Sequence, residues 1–349
     1  MRKNYIIIHK LTAILLFLSL HSCKEKKSTD INASLFVNQE ELAAKSVKIG
    51  QDLTPIDIIC TSNFLLVQDV NSNDQDWFYC FDLKSRELLY TLFPKGTEHN
   101  EFIAPAIVQN PKGDTIKIID QFSFKICDYA LTKDSAYCIT SDKLNIENNG
   151  PLQEMYLHND SILLFYDLDN RIITYNLDKK NTIDEFSFSS DLEEKLGSNY
   201  NPVYDSFHIG YYGGMVAVGF HFANKLIRGY IDANNHIIMD SDHVDIDISS
   251  PKNVMDNNIY YTYIDIDKYV IYTQYAGFQY EEFGIALSNN GKDYRSPLFE
   301  VYDKNLSPIA LYRPDKRFLR CKYSRRHRRF YIINPTTETK ELFYYEMPQ

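Results

Sequence analysis

The sequence predicts an all-β chain folded as a six-bladed β-propeller. Each blade has four antiparallel strands, and an N-terminal strand joins the last blade to close the ring. Three observations carry this. An aromatic-centred pentad recurs six times, as YCFDL (79–83), CDYAL (127–131), ITYNL (173–177), RGYID (228–232), EVYDK (300–304) and FYYEM (343–347). Aligned on Phe81, Tyr129, Tyr175, Tyr230, Tyr302 and Tyr345, the repeats are 48, 46, 55, 72 and 43 residues apart, and a period in this range with several strands per unit is the signature of propeller blades. The composition agrees, since 27 Tyr and 21 Phe against only 13 Gly and 12 Pro favour strands. Finally, the first unit divides into four strand-like runs, PIDIIC (55–60), FLLVQD (64–69), WFYCFD (77–82) and ELLYTLF (87–93), separated by polar turn residues.

The remaining elements follow in order. The 72-residue interval holds an insertion over 278–296, and removing it restores the period. The last unit shows only three runs, FLRCKY (318–323), RRFYIIN (328–334) and ELFYYEM (341–347). Ser46-Val47-Lys48-Ile49 is the candidate fourth strand, pairing outside the last run so that only short sheet edges stay open. One short helix is expected around 191–196.

Residues 1–22 read as a signal peptide. Arg2, Lys3 and Lys10 give the positive end, and LTAILLFLSL (11–20) gives an apolar run of ten residues, against the roughly 20 needed to span a bilayer. Leu20-His21-Ser22-Cys23 resembles the lipobox of bacterial lipoproteins. The resemblance implies cleavage before Cys23, acylation of that cysteine and a lipid bilayer as partner, each buried methylene contributing about 0.8 kcal/mol. Residues 23–33 are then a tether and 34–349 the propeller domain. Lys24 is not Asp, which by the same resemblance implies sorting to the outer membrane; a Lys-rich rather than acidic tether implies a periplasm-facing protein.

The segment YCFDLKSRELLYTLFPKGTEHNEF (79–102) and the ending VYDKNLSPIALYRPDKRFLRCKYSRRHRRFYIINP (301–335), together with the lipobox, resemble the TolB-like six-bladed propeller lipoproteins of Bacteroides-type bacteria. The resemblance spans nearly the whole mature chain and implies the fold and the anchor, but no established reaction. Where that family carries G-x-G-P-x-E-F, this chain keeps Gly96, Glu101 and Phe102 and places Thr97-Glu98-His99-Asn100 between them.

With 37 Lys+Arg against 47 Asp+Glu, the net charge of −10 excludes general nucleic-acid binding, which needs a surplus of cations. GxSxG, HExxH, P-loop and dinucleotide motifs are missing, so no catalytic residue, cofactor or metal is assigned. Asp69-x-Asn71-x-Asn73 opens like a calcium loop but has Asp74 where glycine is required, and reads as a turn. Besides Cys23 there are five cysteines without CxxC spacing. Cys127 and Cys138 would face each other across a turn centred on Thr132-Lys133, either as a disulfide or as two buried free thiols.

By resemblance to propellers generally, ligands enter on the face holding the connections between blades and those between second and third strands. Candidate binding residues there are Glu101, Tyr280, Glu281, Tyr294 and Arg295, aromatic and hydrogen-bonding groups suited to a glycan, a peptide or an envelope protein; a packed loop with solvated charges is the alternative. Asp205, His208, Arg317 and Arg320 are candidates for the channel. The basic cluster from Lys316 to Arg329 reads as a solvated hairpin tip, with an anion patch as the alternative. The expected function is therefore that of a non-catalytic binding or interaction module. The alternative is a periplasmic hydrolase or lyase acting on a glycan or lactone through His208 or Asp205.

Overall fold

The computed structural model describes residues 32–349, apart from 54, 70–74, 99, 147–149, 241–247, 249–251, 283–296, 317, 319, 334–338 and 349. The ring is built from Leu35–Gln349. Two strands come before the first blade, β1 (Asn38–Leu42) and β2 (Lys45–Leu53). Blade 1 is β3 (Pro55–Cys60), β4 (Phe64–Asp69), β5 (Asp76–Asp82) and β6 (Leu88–Pro94). Blade 2 is β7 (Pro105–Ile107), β8 (Thr115–Asp120), β9 (Lys125–Leu131) and β10 (Ala136–Lys143). Blade 3 is β11 (Gln153–Asn159), β12 (Ile162–Tyr166), β13 (Arg171–Asn176) and β14 (Asn181–Ser187), followed by the helix α1 (Ser189–Leu196). Blade 4 is β15 (Phe207–Tyr212), β16 (Met215–Phe220), β17 (Leu226–Ile231) and β18 (Ile237–Met239). Blade 5 is β19 (Asn258–Ile266), β20 (Val270–Gln279), β21 (Leu298–Asp303) and β22 (Pro308–Pro314). Blade 6 is β23 (Arg320–Ser324), β24 (Arg329–Ile333) and β25 (Thr339–Glu346), completed by β2 on its outer edge. The fold is thus the six-bladed propeller with four antiparallel strands per blade.

Closure occurs where the sequence placed it, with Ser46 opposite Phe343, Val47 opposite Leu342 and Lys48 opposite Glu341. The strand β1 was not foreseen. It runs parallel to β22, from Asn38 opposite Ala310 to Leu42 opposite Pro314, and gives blade 5 a fifth strand. Just before it, Phe36 is buried against Tyr302, ring centroids 5.4 Å apart.

The pentads all lie on the third strand; their central aromatic is buried in blades 1, 3, 5 and 6 and half exposed as Tyr230 in blade 4, and four of them also encode the turn that follows. Asp82 accepts from the Lys84 and Ser85 amides at 2.9 and 2.7 Å. Asn176, Asp232 and Asp303 do the same for Lys179, Asn234 and Asn305, each at 2.8 Å. These are Asx turns, which satisfy amides that the departing strand leaves unpaired. Each is completed by a left-handed residue, Arg86, Lys180, Asn235 or Leu306, with φ of 67, 52, 67 and 64°.

The cores lie between blades, where neighbouring sheets pack face to face. Phe299 of blade 5 stacks on Phe330 of blade 6 at 4.3 Å and 13°. Leu66, Phe78, Ile116 and Phe102 bury the junction of blades 1 and 2, and α1 inserts Leu192 between blades 3 and 4. Blades 4 and 5 approach more closely: a Cβ on Gly210 would lie 2.9 Å from the Asp265 Cα, and one on Gly219 3.1 Å from the Tyr261 Cβ. Glycine at these positions lets the two backbones meet.

Cys127 and Cys138 are free thiols. Their hairpin turns through four residues, with Leu131 opposite Ala136, and a bulge after Cys138 brings Ser141 rather than Cys138 opposite Cys127. The turn is centred one position beyond the expected one, and the bulge shifts the register again.

Candidate functional site

Strand alternation fixes two faces. Turns joining first to second and third to fourth strands form one, the turn face; second-to-third connections and blade crossovers form the other. On the turn face the first strands of all six blades end around a cavity of about 410 Å³, lined among others by Ser62, Asn110, His158, Tyr211, Asp265 and Arg325.

Arg325 forms its floor. This residue begins the turn after β23, and its side chain crosses the channel mouth to donate to the Asp265 carboxylate, the Asn110 side-chain oxygen and, at 2.6 Å, the Tyr211 carbonyl. Its guanidinium carbon lies 5.8 and 5.5 Å from the ring centroids of Tyr156 and Tyr212. The next residue, Arg326, donates to Ser62 Oγ at 2.9 Å. Two consecutive arginines of blade 6 therefore touch all the other five blades. The Arg325 side chain is only 16% exposed and that of Asp265 7%. Burial is the largest single influence and opposes the Arg325 charge, but Asp265, Tyr156 and Tyr263 together outweigh it and hold the guanidinium above its ordinary pKa. Asp265 also accepts from Tyr263 Oη at 3.1 Å and the Ile266 amide at 2.7 Å. His158 points its Nδ1 at Tyr211 Oη, 2.6 Å away, and burial lowers its pKa, so it is neutral at pH 7.

The basic hairpin is accordingly not a uniformly solvated tip. Arg325 is sequestered, Arg328 donates to the Pro348 carbonyl at 2.9 Å, and Arg329 pairs with Glu346 at 2.8 Å. Arg326 alone of the four is exposed.

A second cavity of about 360 Å³ opens on the crossover face, lined by Gln153, Tyr166, Ser206, His208 and His221 among others. His208 Nδ1 lies 2.7 Å from Glu154 Oε1, and Glu154 Oε2 accepts from the Ile209 amide at 2.6 Å. The Glu154 carboxylate accepts both bonds, so Nδ1 carries the proton and Nε2 is left as the basic nitrogen. Glu154 itself has a left-handed φ of 42°, a strained conformation for a non-glycine residue. His221 sits beside His208, centroids 6.0 Å apart, and burial together with that neighbour holds its pKa down to about 3. Arg320 opens β23, is exposed, and contributes to the field at His221 and Tyr166.

The other expected residues are dispersed. Asp205 does not line the channel: it is buried beside α1, accepts from Tyr200 Oη at 2.5 Å, and burial raises its pKa. Glu101 folds back onto its own loop, accepting from the Glu98 amide at 2.9 Å, with its carboxylate where a Cβ on Gly96 would stand. Gly96 and Glu101 thus form a self-closing turn. Tyr280 packs on Phe222 at 5.5 Å, and Glu281 is exposed. Tyr294, Arg295, Arg317, the signal segment and Cys23 lie outside the described residues. Among the described residues, no cluster of three His, Cys, Asp or Glu side chains could hold a metal, and no helix is long and apolar enough to cross a membrane.

No protein-family model and no curated protein matches this chain. Among solved structures, it is similar to a protein of Bacteroides fragilis whose name presumes it to be exported, at 13% identity, covering 90% of this chain and 100% of that one, with a TM-score of 0.52. It is also similar to a member of the DUF4221 family from Bacteroides vulgatus, at 14% identity over 88% of this chain and 98% of that one, with a TM-score of 0.48. The first of these likenesses is one of fold, and it agrees with the propeller read independently from the pentads.

Proposed function

We propose that this chain is an exported, lipid-anchored propeller of the outer membrane, kin to the TolB-like lipoproteins, that acts by binding a small polar ligand or a partner's polar tip at the channel mouth. The observation that carries this is the convergence of six first strands on an open, polar cavity whose floor is a buried arginine. The cavity lies over the central channel on the turn face, opposite the crossover face from which ligands were expected to enter, and its volume of about 410 Å³ falls within the range of small-molecule sites. Acylation of Cys23 and a periplasm-facing orientation belong to the same proposal. The strand β1 starts beside the third-to-fourth-strand turn of blade 5, on the turn face.

The test is a thermal-shift screen of the detergent-solubilised full chain against glycan fragments, peptidoglycan fragments and lipid headgroups. A ligand at 100 times its Kd stabilises by about 2.7 kcal/mol. A hit abolished by Tyr212→Ala supports the mouth; hits that survive both Tyr212→Ala and His158→Ala overturn it.

One observation favours a second reading, a hydrolase or lyase acting on a glycan or lactone. The Glu154-oriented His208, with its basic Nε2 beside the second cavity and strain at Glu154, is arranged as a general base. Turnover of a glycan or lactone by purified protein, lost in His208→Gln with the fold intact, would establish this reading; turnover unaffected by that change would remove it.

A further inference from the structure

One cation at the mouth has no ion-pair partner among the described residues, and its chemistry points to the ligand. Arg325 is neutralised by Asp265, and Lys322 Nζ lies 3.4 Å from the Asp57 carboxylate. Asp114 and Asp267 keep their charge but are held by neutral donors rather than by Arg326: Asp114 accepts from Thr61 Oγ1 and the Asn63 amide at 2.8 Å each and from Asn63 Nδ2 at 2.7 Å, and Asp267 accepts from Tyr323 Oη at 3.1 Å. His158 is neutral. That leaves Arg326, which is exposed, bonded only to a neutral serine hydroxyl, and without a carboxylate at ion-pair distance among the described residues. The same cavity is lined by the side-chain amides of Gln109 and Asn110 and by Tyr212, a residue 37% exposed. A planar guanidinium with free donors suits a carboxylate, an exposed tyrosine face suits the apolar side of a sugar ring, and amides suit hydroxyls.

We infer that the channel mouth is a site for a carboxylate-bearing saccharide, with Arg326 taking the carboxylate and Tyr212 the ring. This rests on the binding function proposed above and names the chemistry of its ligand.

The experiment is isothermal titration of the detergent-solubilised full chain with digalacturonate, with galactobiose as the uncharged counterpart, and with acetate. Digalacturonate binds at least tenfold tighter than either of the others. Arg326→Ala removes that advantage while leaving the melting temperature unchanged, because its one bond is made at the surface. Binding of the acid also weakens as salt rises from about 50 to 500 mM, as an exposed ion pair requires. Equal binding of acid and neutral disaccharide, both lost in Tyr212→Ala, would overturn the anionic class and leave the mouth as the site. Acetate binding as tightly as the disaccharide would overturn the saccharide. Acid binding indifferent to both Arg326→Ala and Tyr212→Ala would overturn this inference and the mouth together.

Discussion

Arg325 holds the ring together at its centre, and replacing it measures how much. In Arg325→Met the stem volume is roughly kept while the guanidinium is lost, so Asp265, with a side chain 7% exposed, stays behind as an unpaired buried carboxylate. Removing one partner of a buried ion pair costs about 3–5 kcal/mol. Asp265 retains the Tyr263 hydroxyl at 3.1 Å and the Ile266 amide at 2.7 Å, which places the cost near the lower figure, about 3 kcal/mol. For a chain of this size 1 kcal/mol moves the melting point by about 2 °C, so the variant melts about 6 °C lower. The companion variant Asp265→Asn combined with Arg325→Met removes the stranded charge and recovers most of the loss, since a buried pair is worth little net of its desolvation. Differential scanning fluorimetry on the three proteins decides the matter. A single variant melting within 1 °C of the parent, or a double variant no more stable than Arg325→Met alone, would refute the buried-pair account of the floor.

Three further outcomes follow from other parts of the ring. Gly210→Ala sets a methyl 2.9 Å from the Asp265 backbone, forcing β15 and β19 apart at a cost of about 1–3 kcal/mol, read as a lowered melting point; an unchanged one would mean the junction is looser than its geometry. His221, held down to about 3 from an ordinary 6.5, stays neutral in the fold while the unfolded chain takes up a proton. The stability this supplies is therefore whole above pH 6.5 and drains away as the pH falls toward 3, about 2 kcal/mol of it by pH 5. His221→Phe removes that part of the acid sensitivity, and identical pH profiles of melting for variant and parent would contradict it. Finally, Cys23→Ser moves the protein from the detergent to the aqueous phase in a cloud-point partition, whereas retention in detergent would show that acylation of this cysteine is not the anchor.

What the sequence disclosed and what it hid divide along a physical line. The six pentads were legible because what they encode is local: a third strand, whose central aromatic is buried in blades 1, 3, 5 and 6, and in blades 1, 3, 4 and 5 an Asx turn a few residues on. The four strands of the first blade were legible for the same reason. The strand β1, NQEEL, was not: only Leu42 of its residues is buried, so no alternation marks it, and its place depends on the free edge of β22. Asp205 was expected in the channel as part of an innermost strand, but it ends the short 3-10 turn Pro202–Asp205 before β15, where it meets Tyr200 instead.

The basic hairpin is the instructive case. Read in isolation, four arginines and a histidine within five residues belong in water, and Arg326 remains there. Arg325 is withdrawn because its partners are 60, 114 and 215 residues away in sequence, and only the closed ring brings a carboxylate, a carbonyl and an amide oxygen to one point. Neighbouring residues of the same turn thereby acquire opposite roles. Arg325, neutralised and fixed, gives the mouth a rigid floor, while Arg326, unneutralised and exposed, gives it a charge to offer. A ligand bound by Arg326 rests on groups that six blades hold in common. Its binding therefore draws on the integrity of the whole ring, and in Arg325→Met the affinity for an acidic disaccharide falls even though Arg326 is intact. If that affinity were unchanged while the melting point dropped, floor and binding residue would be independent, and the mouth would be a surface patch rather than a site built by the propeller.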